Sequence, residues 1–386
     1  MKKFLLAALA TTAAVTTAHA GSVSLDLRAD YQGQTFDSAA IDAGAGPDNS
    51  KFYLQTGRLD FQGKLNDETD YRLRWRFAGK DQATLQKRDN TFQDVDFAYV
   101  SNKMADGMLK LTIGKFGADI GGFEGANSGA DMYFTSEAYN GTSYLGGYYN
   151  NGSDETGRAS LSGFTRILYY TGAKLAFTFA DQEINIQGAN IDTLNGRTQT
   201  GNTLGTPSGD HLDGTALDQN TALYAIAYKG KFGDNWQARA SYHMMKTEPA
   251  AGLDGTVQYI AVGGQFQSEA WLIQLDYLMN SYKETIPAET GTDTLTSIVA
   301  SAKWSFTDNW AAILKAAYSI EKFDDATSAE NKYMSEGLAM EYKPKKDDVF
   351  RYHVAYNFRT MSPDAGGDRN LQEFVVGTRI LADFLK

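Results

Sequence analysis

The chain has 386 residues, with 36 Lys and Arg against 47 Asp and Glu, and a formal net charge of −11. That balance argues against a nucleic-acid partner, which calls for a basic excess. The absence of cysteine excludes a disulfide scaffold, a thiolate metal site and a cysteine nucleophile.

The N-terminus reads as a targeting segment. Lys2 and Lys3 form a basic start, Phe4 to Ala10 is apolar, and Ala18-His19-Ala20 is a small-x-small cleavage site before Gly21. Residues 1–20 are therefore expected to be a cleavable bacterial signal peptide, with 21–386 as one domain. Cleavage takes two lysines and leaves 34 basic against 47 acidic side chains, a net charge of −13. After residue 20 no apolar run approaches the roughly 18 residues that a membrane-spanning helix needs.

The rest of the chain alternates apolar and polar residues with period two. In DYRLRWRFAGK (70–80), Tyr71, Leu73, Trp75 and Phe77 share one face, and Asp70, Arg72, Arg74 and Arg76 share the other. A helix mixes these two sets and a strand separates them. Sixteen such strands are predicted: 22–31, 52–63, 70–80, 94–101, 108–116, 158–170, 174–183, 221–231, 236–246, 256–267, 270–281, 295–306, 310–321, 333–343, 349–360 and 371–384. With 38 glycines, 6 prolines, 22 tyrosines and 21 phenylalanines, the composition suits long strands joined by turns.

The connections alternate between short and long. Short turns fall at Leu65–Thr69, Asn102–Gly107, Thr171–Ala173, Gly233–Asn235, Ser268–Glu269, Thr307–Asn309 and Pro344–Asp348. Long loops fall at 32–51, 81–93, 117–157, 184–220, 247–255, 283–294, 322–332 and 361–370. If the N-terminus is periplasmic, every short turn lies on the periplasmic side and every long loop outside. Segment 141–149 (GTSYLGGYY) looks like another strand, but counting it breaks this parity, so it belongs to the third long loop.

A soluble sandwich could show the same alternation. Two features favour a membrane barrel. Aromatics gather at strand ends: Trp236, Trp310, Tyr228 and Tyr342 beside the short turns, and Tyr31, Tyr53 and Tyr282 toward the outer rim, as interfacial girdles do. The mean hydropathy is −0.40 despite the apolar faces, so half of each strand must meet water. A closed barrel with a wet interior meets both conditions and leaves no strand edge unpaired in lipid. The last strand, with Phe374, Val376, Thr378, Ile380, Ala382 and Phe384 on one face, fits the closing strand of an outer-membrane protein, although Leu385 and Lys386 follow the terminal aromatic. The expected fold class is thus all-β, a 16-stranded antiparallel transmembrane β-barrel.

Two stretches resemble a known family. GRLDFQGKLNDETDYRLRWRFAG (57–79) is similar to an early hairpin of the phosphate-selective porin O/P family, and DFAYVSNKMADGMLKLTIGKFG (96–117) to its next hairpin, ending in a T-x-G-x-F run. The resemblance implies a homotrimer of sixteen-stranded barrels, each with its third extracellular loop folded into the lumen. Channels of that family use a ladder of basic residues in the pore, whereas the third loop here carries no dense basic run.

A porin performs no chemistry; its constriction selects solutes by size and charge. The candidate constriction is loop 117–157, with acidic Asp119, Glu124, Asp131 and Glu137, and with glycines that allow tight packing against a wall. Inward parity gives a basic wall of Arg28, Arg58, Lys64, Arg72, Arg74, Arg76, Arg351, Arg359 and Arg379. These belong to neighbouring strands once the barrel closes, so an acidic loop facing a basic sector would set up a transverse field. Each such residue could equally serve a salt bridge that satisfies the interior, for example Arg58 with Asp60. The acid-rich outer loops suit an outer-membrane lipid and lipopolysaccharide surface, with divalent cations bridging to anionic headgroups as the sharper idea. Ser241 and His243 share a luminal face without an orienting acid, so no enzyme is expected. His211 in a loop with Asp210 and Asp213 makes no metal site, and no cofactor is implied. The expected function is a water-filled outer-membrane porin for passive diffusion of ions and small hydrophilic solutes. The alternatives are an anion- or phosphate-selective porin, a receptor or adhesin barrel plugged by its loops, and a soluble exported protein.

Overall fold

The computed structural model describes residues 21–42, 48–79, 94–119, 122–137, 169–190, 222–250, 253–285, 292–322, 330–345, 349–364 and 366–385. The signal-peptide expectation (1–20), segment 141–149 and much of loop 117–157 lie outside them.

Strand-forming alternation becomes sixteen strands. They are β1 (Ser22–Phe36), β2 (Asn49–Lys64), β3 (Thr69–Gly79), β4 (Asp94–Met104), β5 (Leu109–Gly117) and β6 (Tyr169–Phe179). Then follow β7 (Gln182–Asn190), β8 (Ala222–Phe232), β9 (Trp236–Ala250), β10 (Leu253–Gln267) and β11 (Trp271–Thr285). The last are β12 (Thr292–Ser305), β13 (Trp310–Lys322), β14 (Glu330–Tyr342), β15 (Phe350–Ser362) and β16 (Arg369–Leu385). Each strand pairs antiparallel with its sequence neighbours, and β1 pairs with β16 from Val23↔Leu385 to Phe36↔Leu371. The sheet is closed, so every ladder group finds a partner and no edge remains.

The two faces separate as the alternation requires. Ile113, Leu275 and Leu314 are each more than half exposed on the outer face, while the inner face of β9 carries Arg239, Ser241 and His243. A continuous apolar outer belt is stable against hydrocarbon and not against water. At the short-turn end Trp271 stacks on Trp304 (ring centroids 5.6 Å apart), Trp310 meets Tyr342 (4.7 Å) and Trp236 meets Phe266 (5.0 Å). At the opposite end a one-turn helix, Ser38–Asp42, packs Ala40 with Phe36, Tyr333, Met361 and Leu371. Asp37 caps it, accepting from the Ala40 amide (2.7 Å) and tying it to the Asn370 amide (2.9 Å).

The structure corrects the sequence reading at three places. The turn expected at 171–173 lies within β6, which runs to Phe179, and β7 starts at Gln182, where the expected strand 174–183 ends; residues 158–168 of the expected sixth strand lie outside the described residues. Gly172, read as a turn glycine, lies mid-strand opposite Gly114. A Cβ there would come within 2.3 Å of the Gly188 carbonyl, so the residue marks a close approach of strands. The real turn places Ala180 at φ 48°, a left-handed alanine that no turn signal announces. Second, Tyr53 is buried on the inner face and does not face the lipid. Gln55 is an extra residue in the β1–β2 pairing (Arg28↔Thr56, Ala29↔Leu54), and this bulge reverses the parity of everything before it. Phe52 takes the outward place and packs on Tyr31 (4.7 Å). Third, the long loop expected at 247–255 is mostly strand, since β9 runs to Ala250 and β10 begins at Leu253.

Candidate functional site

The segment after β5 is held by inward-facing side chains of many strands. Asp119 pairs with Lys229 of β8 (2.5 Å) and Lys174 of β6 (3.0 Å). Burial pushes its carboxyl up, but the two ammonium groups outweigh burial and hold it at about 2. The Phe123 and Glu124 amides then donate to the Asp276 carboxylate of β11 (2.8 and 2.6 Å). Gly263 of β10 makes room: a Cβ there would meet Asp276 Oδ1 at 2.0 Å and the Gly122 backbone at 2.9 Å. Glu124 pairs with Lys315 of β13 (2.5 Å) and accepts from the Ser136 amide (2.8 Å).

Asn127 donates to Gln274 of β11 (3.2 Å). The next two residues meet β2: Arg58 donates to the Ser128 hydroxyl (3.4 Å) and Gln55 to the Gly129 carbonyl (3.2 Å). Strands β11 and β2 stand seven places apart one way round the ring and nine the other. Beyond this step, Arg28 donates to the Ala130 and Met132 carbonyls (both 2.9 Å) and lies over the Tyr133 ring (4.7 Å). Asp131 pairs with Arg351 (3.1 Å) and Arg379. Tyr133 donates to Glu341 (2.8 Å), and with Phe134 it packs on Ala339, Ala355 and Val375. Gly337 accommodates the Phe134 ring, which a Cβ would meet at 2.3 Å.

The nine expected basic residues fall into two groups and one outlier. Arg28, Arg351, Arg359 and Arg379 clamp the loop. Arg359 pairs with Glu373 (3.2 Å) and faces Glu137 (3.6 Å). Arg58, Arg72, Arg74 and Arg76 instead share strand carboxylates in twos. Arg72 and Arg74 both bind Asp60 at 2.6 Å, and Arg58 (3.2 Å) and Arg76 (3.0 Å) both bind Asp96. Lys64 lies exposed at the end of β2, beside the turn to β3.

Arg58, expected with Asp60, binds Asp96 instead, and Asp60 takes Arg72 and Arg74; sequence reasoning missed Asp96, and missed Asp70, which Lys103 and Lys110 share at 3.4 and 3.5 Å. Asp70 and Asp60 stood on the correct face all along. Asp96 did not, because it is an extra residue in the β3–β4 pairing (Arg74↔Phe97, Trp75↔Val95). The bulge turns Asp96 inward beside Phe97, which already faces the interior opposite Arg74.

Burial foremost pushes the Glu137 carboxyl up, to about 7; Arg359 opposes the shift, while Glu321, Glu373 and Glu124 add to it. A raised carboxyl favours the protonated docked form. The docking energy is thus complete below the ordinary value of 4.5 and falls as pH rises from there through about 7. We expect the loop to sit tighter at pH 5 than at pH 8, read as quieter single-channel current at pH 5. Glu137→Gln should flatten that dependence; an unaltered pH profile in this variant would refute the assignment.

Curated proteins yield no match. The outer-membrane channel DcaP of Acinetobacter baumannii superposes with a TM-score of 0.63 at 12% identity, over 94% of this chain and 97% of that one. An anion-selective porin from Comamonas acidovorans gives 0.59 at 12% identity, over 94% and 100%. The trimer form of OmpT, an outer-membrane protein of Vibrio cholerae, gives 0.57 at 14% identity, over 94% and 100%. At such identities these likenesses speak for the fold. The family model for phosphate-selective porins O and P matches residues 22–360, nearly the whole barrel. The chain is an outer-membrane channel and belongs to the phosphate-selective porin O and P family.

Proposed function

We propose that this porin prefers anions, and that its selectivity arises on the wall formed by β2 to β5. The observation that carries this reading is a set of three rungs, each with two cations on one carboxylate. They are Lys103 and Lys110 on Asp70, Arg72 and Arg74 on Asp60, and Arg58 and Arg76 on Asp96. Each rung keeps a net charge of +1. From Asp70 to Arg76 the rungs run along β3 for about 20 Å at the usual strand rise. That length is comparable with the roughly 25 Å apolar band of an outer-membrane barrel.

The acidic residues expected to face this wall have partners of their own. Asp119, Glu124 and Asp131 are each within ion-pair distance of a cation. They add little negative field to the passage. The change of wall between Asn127 and Ser128 supports a loop that lies in the lumen, bounds the passage along β3 to β9, and fills the side toward β12 to β16. The mature chain would then be 21–386, exported by residues 1–20, seated in outer-membrane lipid and lipopolysaccharide, and assembled as a homotrimer. The trimer form recorded for the Vibrio cholerae protein supports that assembly.

The test is the reversal potential in a planar bilayer under a KCl gradient. The expected sign is that of chloride preference. Potassium preference would overturn the anion reading, and a folded barrel without conductance would favour the plugged-receptor alternative.

A further inference from the structure

The middle rung sits among aromatic rings. The guanidinium carbons of Arg72 and Arg74 lie 4.3 and 4.6 Å from the centroid of the Phe97 ring, and that of Arg76 lies 5.9 Å from the Tyr169 ring. Phe97 meets Tyr169 edge-on at 5.3 Å and Tyr99 at 6.0 Å. The side chains of Arg72 and Arg74 remain 24% and 20% accessible, and the three rings are half-buried. Cations and rings thus present one mixed surface on the inner wall. Phe97 stands there by ordinary alternation, opposite Arg74 and in phase with Tyr99 and Ser101, and the bulge at Asp96 brings that carboxylate to the same face.

Resting on the anion-preferring reading, we infer that this surface is a binding site for organic anions with a flat apolar body, such as arene carboxylates. Each feature fits that chemistry. A carboxylate matches the guanidinium fork and can take two parallel hydrogen bonds from it. An apolar ring displaces water from Phe97, Tyr99 and Tyr169 at a gain and prefers the offset or edge geometry that these rings offer. A hydrated inorganic phosphate gains nothing from the rings. Its second charge also meets Asp60 and Asp96 in rungs whose net charge is only +1.

The experiment is block of chloride current through the purified full-length porin by benzoate, acetate and inorganic phosphate at equal ionic strength. An added aromatic contact is worth about tenfold in affinity, so benzoate should half-block at about one tenth of the acetate concentration, with phosphate weaker than benzoate. In Phe97→Leu the benzoate-to-acetate ratio should fall toward one, and Tyr169→Leu gives a second, independent reading of the same ratio. Heat-modifiable gel migration checks that both variants form barrels, and the wild-type series needs no variant. Benzoate no better than acetate, phosphate better than benzoate, or a ratio untouched in both variants would overturn the site. The reversal potential, measured in the same bilayers, keeps the two ideas apart. Chloride preference without benzoate discrimination sinks the organic-anion site alone, and potassium preference sinks the reading beneath it.

Discussion

Replacing Arg72 and Arg74 together by glutamine is expected to shift the ion preference of the channel toward potassium. Both guanidiniums bind Asp60 at 2.6 Å, so the wild-type rung carries +1 and the double variant carries −1. One unit charge at about 4 Å in water is worth about 1 kcal/mol. Two such units disfavour a chloride ion by about 2 kcal/mol and favour a potassium ion by as much, about 4 kcal/mol between the two at contact before screening, and far less at the roughly 10 Å Debye length of 0.1 M salt. We expect the chloride-to-potassium permeability ratio to fall about tenfold. Asp60→Asn carries the opposite sign, because it leaves two cations without their shared carboxylate and raises the rung to +2. The two variants therefore bracket the wild type. If both left the reversal potential in place, the rungs would be structural ion pairs and the selectivity would lie elsewhere.

The second large effect concerns the loop. Asp276→Ala removes the carboxylate that accepts from the Phe123 amide (2.8 and 2.9 Å) and the Glu124 amide (2.6 Å). Hydrogen bonds to a charged acceptor contribute about 1.5–3 kcal/mol each, and the amides would be left buried without it. Docking of residues 122–124 should weaken by about 3 kcal/mol or more. The sheet itself keeps its ladder, so heat-modifiable migration should be nearly unchanged while single-channel current becomes noisier and its open level rises. Gly263→Val should act in the same direction by steric means, since a Cβ there would meet Asp276 Oδ1 at 2.0 Å. Quiet current of wild-type size in both variants would mean that Lys315, Arg28, Arg351 and Arg379 hold the loop unaided.

The outline of the fold was legible because strand alternation is a local signal. DYRLRWRFAGK separates its two faces within eleven residues, and the structure keeps both faces of that strand. The short turns expected before Trp236 and Trp310 likewise survive, with both tryptophans in the girdle at the short-turn end. Where the reading slipped, a local cue had two meanings. Gly172 is a good turn residue and also the smallest residue that fits between close strands, and only the neighbour at Gly188 distinguishes the two. Tyr53 was misplaced because a bulge adds one residue without any mark in composition.

The sequence by itself determined an all-β chain, the number of its strands, its closing parity and the side of the wall on which most charged residues stand. Each of these follows from the period of a strand and the lengths of the connections, and both are properties of short stretches. Only the tertiary structure decided which charges meet. Asp96 joins Arg58 and Arg76 through a bulge, Asp131 reaches Arg351 and Arg379 more than two hundred residues away, and Asp276 anchors amides of a loop that leaves the sheet six strands earlier. Such pairings depend on register, on closure and on where one loop changes walls. These are relations between distant segments, and no window along the chain contains both partners.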